Sequence, residues 1–197
     1  MDLRIGKVMK VKRIWNFIWE DDSLISWVVN VILAFLIVKF LIFPGLGLVL
    51  DTSHPVVAVV SESMDHRGNF DDWWERQGRW YEERGIMKEE FMQYDMKNGF
   101  KKGDIIFLRG KDKFEIGEVV VFSANSNNPI IHRVVEKKDG KYQTKGDANS
   151  DSSKTLGEVD ISKERVIGKA LFRVPFLGWV KVWASEIVGG VENVVLS

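Results

Sequence analysis

From Leu24 to Phe43 the chain reads LISWVVNVILAFLIVKFLIF, an apolar run broken by one charge, Lys39. That length matches the ~20 residues a helix needs to cross the hydrocarbon of a bilayer. Asp21, Asp22 and Ser23 supply acidic and capping groups at its start, and Pro44-Gly45 are expected to stop it. Lys39 is near enough to the far end to snorkel toward an interface. Beyond the run the pattern changes to short β-type segments bounded by turn residues: Pro55–Val60, Ile105–Leu108, Gly117–Phe122, Ile130–Val135 and Val166–Phe172. Between His66 and Lys102 it changes again, to a charged, aromatic-rich stretch with Glu75 and Arg79 at helical spacing, which predicts two short helices. From Ile105 on, the strands follow one another without helices between them, which predicts an antiparallel sheet. The expected fold is therefore mainly β, an antiparallel domain with a small helical insert, preceded by an N-terminal transmembrane helix.

The domain boundaries follow from these shifts. Residues 1–22 carry Arg4, Lys7, Lys10, Lys12 and Arg13, a basic arm expected to stay in the cytoplasm by the positive-inside tendency. Residues 23–50 form the anchor and linker, and 51–172 the β-rich domain, with its insert at about 66–102. Residues 173–197 are an apolar C-terminal segment interrupted by Lys181, Glu186, Glu192 and Gly189-Gly190, which reads as surface-lying or packed. The apolar run is too long for a removable leader and lacks a small-residue cleavage pattern, so it is read as an uncleaved anchor. The β-rich domain then lies on the extracytoplasmic side.

Composition narrows the chemistry. The 28 basic and 28 acidic residues cancel, so no global charge draws the chain to nucleic acid. Cysteine is absent, which removes disulfides, thiolate nucleophiles and the usual zinc cages. No metal or organic cofactor is called for. A serine hydroxyl needs a nearby base to act as a nucleophile, and histidine titrates in the right range; there are three, His54, His66 and His132. Ser61 and Ser63 follow a β-run, and His132 lies in another. His54, before a proline near the anchor, and His66, at the start of the insert, are expected at the solvent or the interface.

Four ordered blocks, SESM, GDIIFLRG, GEVVVFSANSNNPIIHRVV and TKGDAN followed by VIGKALFRVPFLGWV, closely resemble type I signal peptidases of the archaeal and endoplasmic-reticulum branch. The resemblance runs from Val56 to about Val180. It implies a membrane-bound serine endopeptidase that removes signal peptides from secretory preproteins, with the lipid bilayer and unnamed accessory subunits as further partners. It implies Ser63 as nucleophile, Ser61 as an oxyanion-binding hydroxyl beside the Ser63 backbone N–H, and His132 as general base. An aspartate is expected to orient His132, with Asp147 and Asp151 as equal candidates and Asp160 more distant. Relatives usually carry a further aspartate six positions after the one matching Asp147, where this chain has Ser153. Asp104, in the GDIIF block, is expected to cap a turn. An extended substrate would pair along the edge near Val57, Val59 and Val60. Two competing readings are a membrane-anchored, non-catalytic interaction module and a serine–lysine hydrolase with Lys145 as base.

Overall fold

The computed structural model describes residues 15–179 apart from 112 and 127. Residues 1–14, which hold the basic side chains of the arm, and the chain beyond Trp179 lie outside the described residues. The chain divides into two units, one ending at Val49 and one beginning at Leu50.

The first unit is dominated by helix α1, Leu24–Leu50, which is long and apolar enough to cross a membrane. Ser23 caps it by accepting the Ser26 N–H. Ahead of it, a helical turn at 15–19 is tied back where Ser26 Oγ donates to the Phe17 carbonyl at 2.6 Å and Asn30 Nδ2 to that of Ile18 at 2.8 Å. The expected stop at Pro44-Gly45 does not occur. Val38–Ile42 form one wider π-type turn, in which the Phe43 N–H reaches back to the Val38 carbonyl, and the helix passes through Pro44 to Leu50. Proline has no N–H to give the ladder, and a widened turn is a recognised way to absorb that loss.

The second unit is built on a six-stranded sheet in the order β1-β2-β6-β3-β4-β5, every pairing antiparallel. The strands are β1 Val56–Ala58, β2 Ile105–Arg109, β3 Val119–Phe122, β4 Ile130–Lys138, β5 Lys141–Lys145 and β6 Val166–Val174. β5 is absent from the sequence reading. Its signal is the Asp139-Gly140 pair, whose φ values of 51° and 75° make the tight hairpin turn that such a dipeptide favours. One core lies under β1, β2, β3 and β6 around Met64, Phe100, Ile106 and Leu108; a second gathers Phe114, Phe122, Val134 and Ile161.

The insert forms helices α2, Phe70–Glu82, and α3, Lys88–Phe91. Asn69 caps α2 by accepting the Asp72 N–H, and Asp71 and Asp72 sit in the first turn, where negative charge suits the helix dipole. Its apolar stripe packs Trp73, Trp74 and Tyr81 against Ile86, Phe91 and Val135 in a third buried cluster.

Candidate active site

Ser63 lies in a tight loop after β1. The Asp65 N–H donates to the Glu62 carbonyl at 3.0 Å, and Met64 fills the core below. The Met64 carbonyl accepts the Phe100 N–H at 3.0 Å. Gly99 makes that approach possible: at φ 63°, a Cβ there would stand 2.1 Å from the Met64 carbonyl oxygen. Ser61 Oγ and Ser63 Oγ are 3.2 Å apart, and the Ser63 carbonyl accepts the Ala148 N–H at 2.8 Å.

β4 supplies His132 and Arg133 as neighbours. Adjacent side chains of a strand point to opposite faces, so one strand serves two sites. His132 is buried, and its Nδ1 is hydrogen-bonded to Glu158 Oε1. Glu158 is fully buried, and its Oε2 accepts the Ser153 N–H at 2.5 Å. Its backbone is held as well, by Thr144 N–H to the Glu158 carbonyl at 2.9 Å and Glu158 N–H to that of Ser153 at 3.0 Å. With Nδ1 engaged, Nε2 is the ring nitrogen left for chemistry. It approaches the Ser63 backbone at Gly146, where an added Cβ would lie 2.8 Å from His132 Nε2, 2.8 Å from the Ser63 carbonyl oxygen and 2.7 Å from Asn149 Nδ2. Ser63 and His132, distant in sequence, converge there.

The two aspartates expected at His132 are elsewhere. Asp147 is completely buried on the other side of β4, where it accepts from Arg133 Nε at 3.0 Å and the second guanidinium nitrogen at 2.7 Å, and from the Tyr81 hydroxyl at 3.1 Å. His66 Nε2 lies 3.0 Å from its other oxygen, and its carbonyl takes the Trp73 indole N–H at 3.0 Å. Burial would raise the Asp147 pKa, but the Arg133 guanidinium overrides it and holds the carboxyl well below the usual carboxylate range. Burial, and then the Asp147 charge, push the Tyr81 hydroxyl upward. Asp151 is exposed and accepts the Trp80 indole N–H at 3.0 Å. Asp160 is exposed too. His66, expected at the solvent or the interface, is instead buried at 2% exposure and stacked on Trp73 with ring centres 3.9 Å apart. Asp104 behaves as a turn cap, taking the Lys101 N–H at 3.0 Å.

Lys145 Nζ donates to the Gly146 carbonyl at 3.2 Å and to Gln77 at 3.4 Å, and lies over the Trp80 and Tyr81 rings. Burial lowers its pKa to about 8.

β1 is an outermost strand. The Val59 N–H and carbonyl are both spent on the β2 side, at Asp104 and Gly103, and its side chain is in the core. Because strand backbone groups alternate between edges, Val57 also turns toward β2, while Val56, Ala58 and the exposed Val60 offer theirs to the free edge. Val60 thus stands where an edge-binding residue would, and Val57 and Val59 do not.

Sequence reasoning missed Glu158, which sits in a polar loop with no motif around it. The one hint was Ser153, the position lacking the expected acid, whose backbone N–H Glu158 now holds. Among the described residues no group of three or more His, Asp or Glu is arranged to hold a metal.

No family model matches the chain. It is similar to proteins named signal peptidase complex catalytic subunit SEC11. The one from Leptosphaeria maculans is 30% identical over 159 residues, covering 75% of this chain and 73% of that protein. Those from Colletotrichum graminicola and Verticillium alfalfae are 29% and 27% identical over 158 residues, with the same coverage. The chain belongs to this family, the endoplasmic-reticulum branch of the type I signal peptidases. It is accordingly a hydrolase of the serine endopeptidase class.

Proposed function

We propose that this chain removes signal peptides from secretory preproteins at a membrane surface, with Ser63 as nucleophile, His132 as general base and Glu158 as the carboxylate that orients it. The observation that supports the reading is that the Ser63 backbone carbonyl and His132 Nε2 both lie within 2.8 Å of one point, the place of a Cβ on Gly146, which puts the two residues side by side. As Ser63 Oγ attacks the scissile carbonyl carbon, its proton passes to Nε2. Charge then gathers on the former carbonyl oxygen, where the Ser63 N–H and the Ser61 hydroxyl stabilise it; losing one such donor typically costs roughly 10²–10³ in rate. Nε2 returns the proton to the departing amide nitrogen, which leaves as the new N-terminus. A water deprotonated by Nε2 then hydrolyses the ester and frees Ser63. Throughout, the Glu158 carboxylate keeps the second proton on Nδ1 and stabilises the imidazolium.

Helix α1 is the anchor, its N-terminal side cytoplasmic and the β-rich unit extracytoplasmic. The residues before the cut lie extended along the free edge of β1, bonded to Val56, Ala58 and Val60. The relatives' name describes a subunit of a complex, so accessory subunits accompany this chain as well.

The test is cleavage of a radiolabelled preprotein by the full chain in lipid vesicles. Ser63→Ala and His132→Ala are expected to abolish release of the leader while the protein keeps its circular dichroism spectrum. Cleavage surviving in the Ser63→Ala protein rejects the assignment. A biological role that survives Ser63→Ala supports the non-catalytic module, and cleavage by the His132→Ala protein supports Lys145.

A further inference from the structure

Helix α2 closes one side of a cleft of about 420 Å³ whose opposite wall is Ser63 itself, with Ala148 and Asn149. α2 contributes Trp73, Arg76 and Gln77, and the turn before it contributes His66 and Arg67. No residue of β1 lines it, so the cleft lies apart from the edge along which the leader side of the substrate is proposed to run. A polypeptide crosses the nucleophile once. If the residues before the scissile bond take the β1 edge, those after it are left the cleft.

The walls are polar, and their charges are unevenly spent. Arg67 and Glu62 form an ion pair at 2.8 Å, and Asp65 accepts the Arg67 N–H at 2.9 Å. Arg76 is different. It donates to the His66 carbonyl at 2.7 Å, and among the described residues no carboxylate lies within ion-pair distance of it. Asn149 is similarly uncommitted: its side-chain amide bonds to no described residue, yet its nitrogen stands beside Gly146, where His132 Nε2 and the Ser63 carbonyl meet. A hydrogen-bond donor next to the reacting atoms and an unneutralised cation further out suit a peptide whose backbone is held at Asn149 and whose side chain carries negative charge.

We infer that this cleft receives the first residues of the mature chain, and that Arg76 makes it prefer an acidic side chain there. The inference rests on the proposed cleavage reaction and adds the substrate's other half. Asn149 positions the backbone after the cut, and Arg76 sets specificity.

The experiment uses the full chain in vesicles and a set of preproteins carrying Glu, Gln or Lys at each of the first four positions after the cut. For the wild type, kcat/KM with Glu is expected to exceed that with Lys by about two- to fivefold at one of those positions, the range an exposed ion pair supports. Arg76→Glu reverses the ratio at that position, and Arg76→Gln brings it to about one. Each ratio is taken within one protein, so a partly unfolded variant still reports. Arg79→Glu is the control, since Arg79 lies on the same helix, is highly exposed and lies outside the cleft. Ratios unchanged in Arg76→Glu, or shifted equally by Arg79→Glu, overturn the inference. A wild type that cuts none of the preproteins overturns the cleavage reading on which it rests, a separate result.

Discussion

Replacing Glu158 by glutamine tests the proposed couple at its least expected member. Glu158 has two oxygens with different partners: one takes the Ser153 N–H, and the other faces His132 Nδ1. Glutamine can satisfy Ser153 only with its carbonyl oxygen, which turns its NH₂ group toward Nδ1. A donor there forces the imidazole proton onto Nε2, the atom that must be free to accept the Ser63 proton. The charge that stabilises the imidazolium is lost as well. In triads the corresponding amide substitution costs about 10⁴ in kcat, which is ~5.4 kcal/mol at ~1.36 kcal/mol per tenfold. We expect kcat for preprotein cleavage to fall by that order, with KM changed far less. Glu158→Asp, whose carboxylate is drawn back by one methylene, is expected between the two. The combination Ser153→Asp with Glu158→Gln restores an acid at the position relatives use and should recover part of the loss. Single-turnover cleavage of a labelled preprotein separates these effects. A Glu158→Gln protein within tenfold of the wild type refutes the role.

Gly146→Ala places a methyl 2.8 Å from both His132 Nε2 and the Ser63 carbonyl, and cleavage is expected to fall at least about 100-fold by forcing the base off its position, measured with the same preprotein. Asp147→Asn strands the fully buried Arg133 without its counter-charge, which is expected to cost about 3–5 kcal/mol in urea unfolding. Because the Asp147 pKa is depressed in the folded state, its stabilisation is complete above the unfolded carboxyl value of ~3.9 and fades below it; the gap between mutant and wild type should hold at neutral pH and narrow below about pH 4. Lys145 has the opposite dependence: its folded pKa, about 8, lies below the unfolded value of 10.5, so between those limits the unfolded chain binds the extra proton. Stability should therefore rise with pH across that window by roughly 1.4 kcal/mol per unit, and Lys145→Met should remove the rise.

The β-rich architecture was legible because alternation and turn residues mark strands directly. β5 is hard to read because its residues, KYQTK, are mostly polar, so that only the Asp139-Gly140 turn before it marks the hairpin. The proposed pair, Ser63 and His132, was legible as a candidate through short motifs, and the structure brings the two residues near one another at Gly146. The acid was not. Asp147 stood in the motif but is committed to Arg133, whose planar guanidinium takes the carboxylate on two nitrogens and leaves nothing for His132. Glu158 meets His132 only when the loop after β5 folds back on β4, a tertiary event with no periodicity to read. Arg133 stands next to the candidate base, yet the pleat of β4 turns it to the other face and makes it the anchor of a separate network.

That network joins the insert to the chemistry. Trp73 and Tyr81 of α2 hold Asp147 by its carbonyl and carboxylate, while the amides of Asp147 and Ala148 reach Met64 Sδ and the Ser63 carbonyl. Shortening the chain by excising residues 67–98 would thus not yield a smaller working enzyme. The seat of Ser63 is upholstered from the insert, and any engineered miniature must find another way to keep that seat firm.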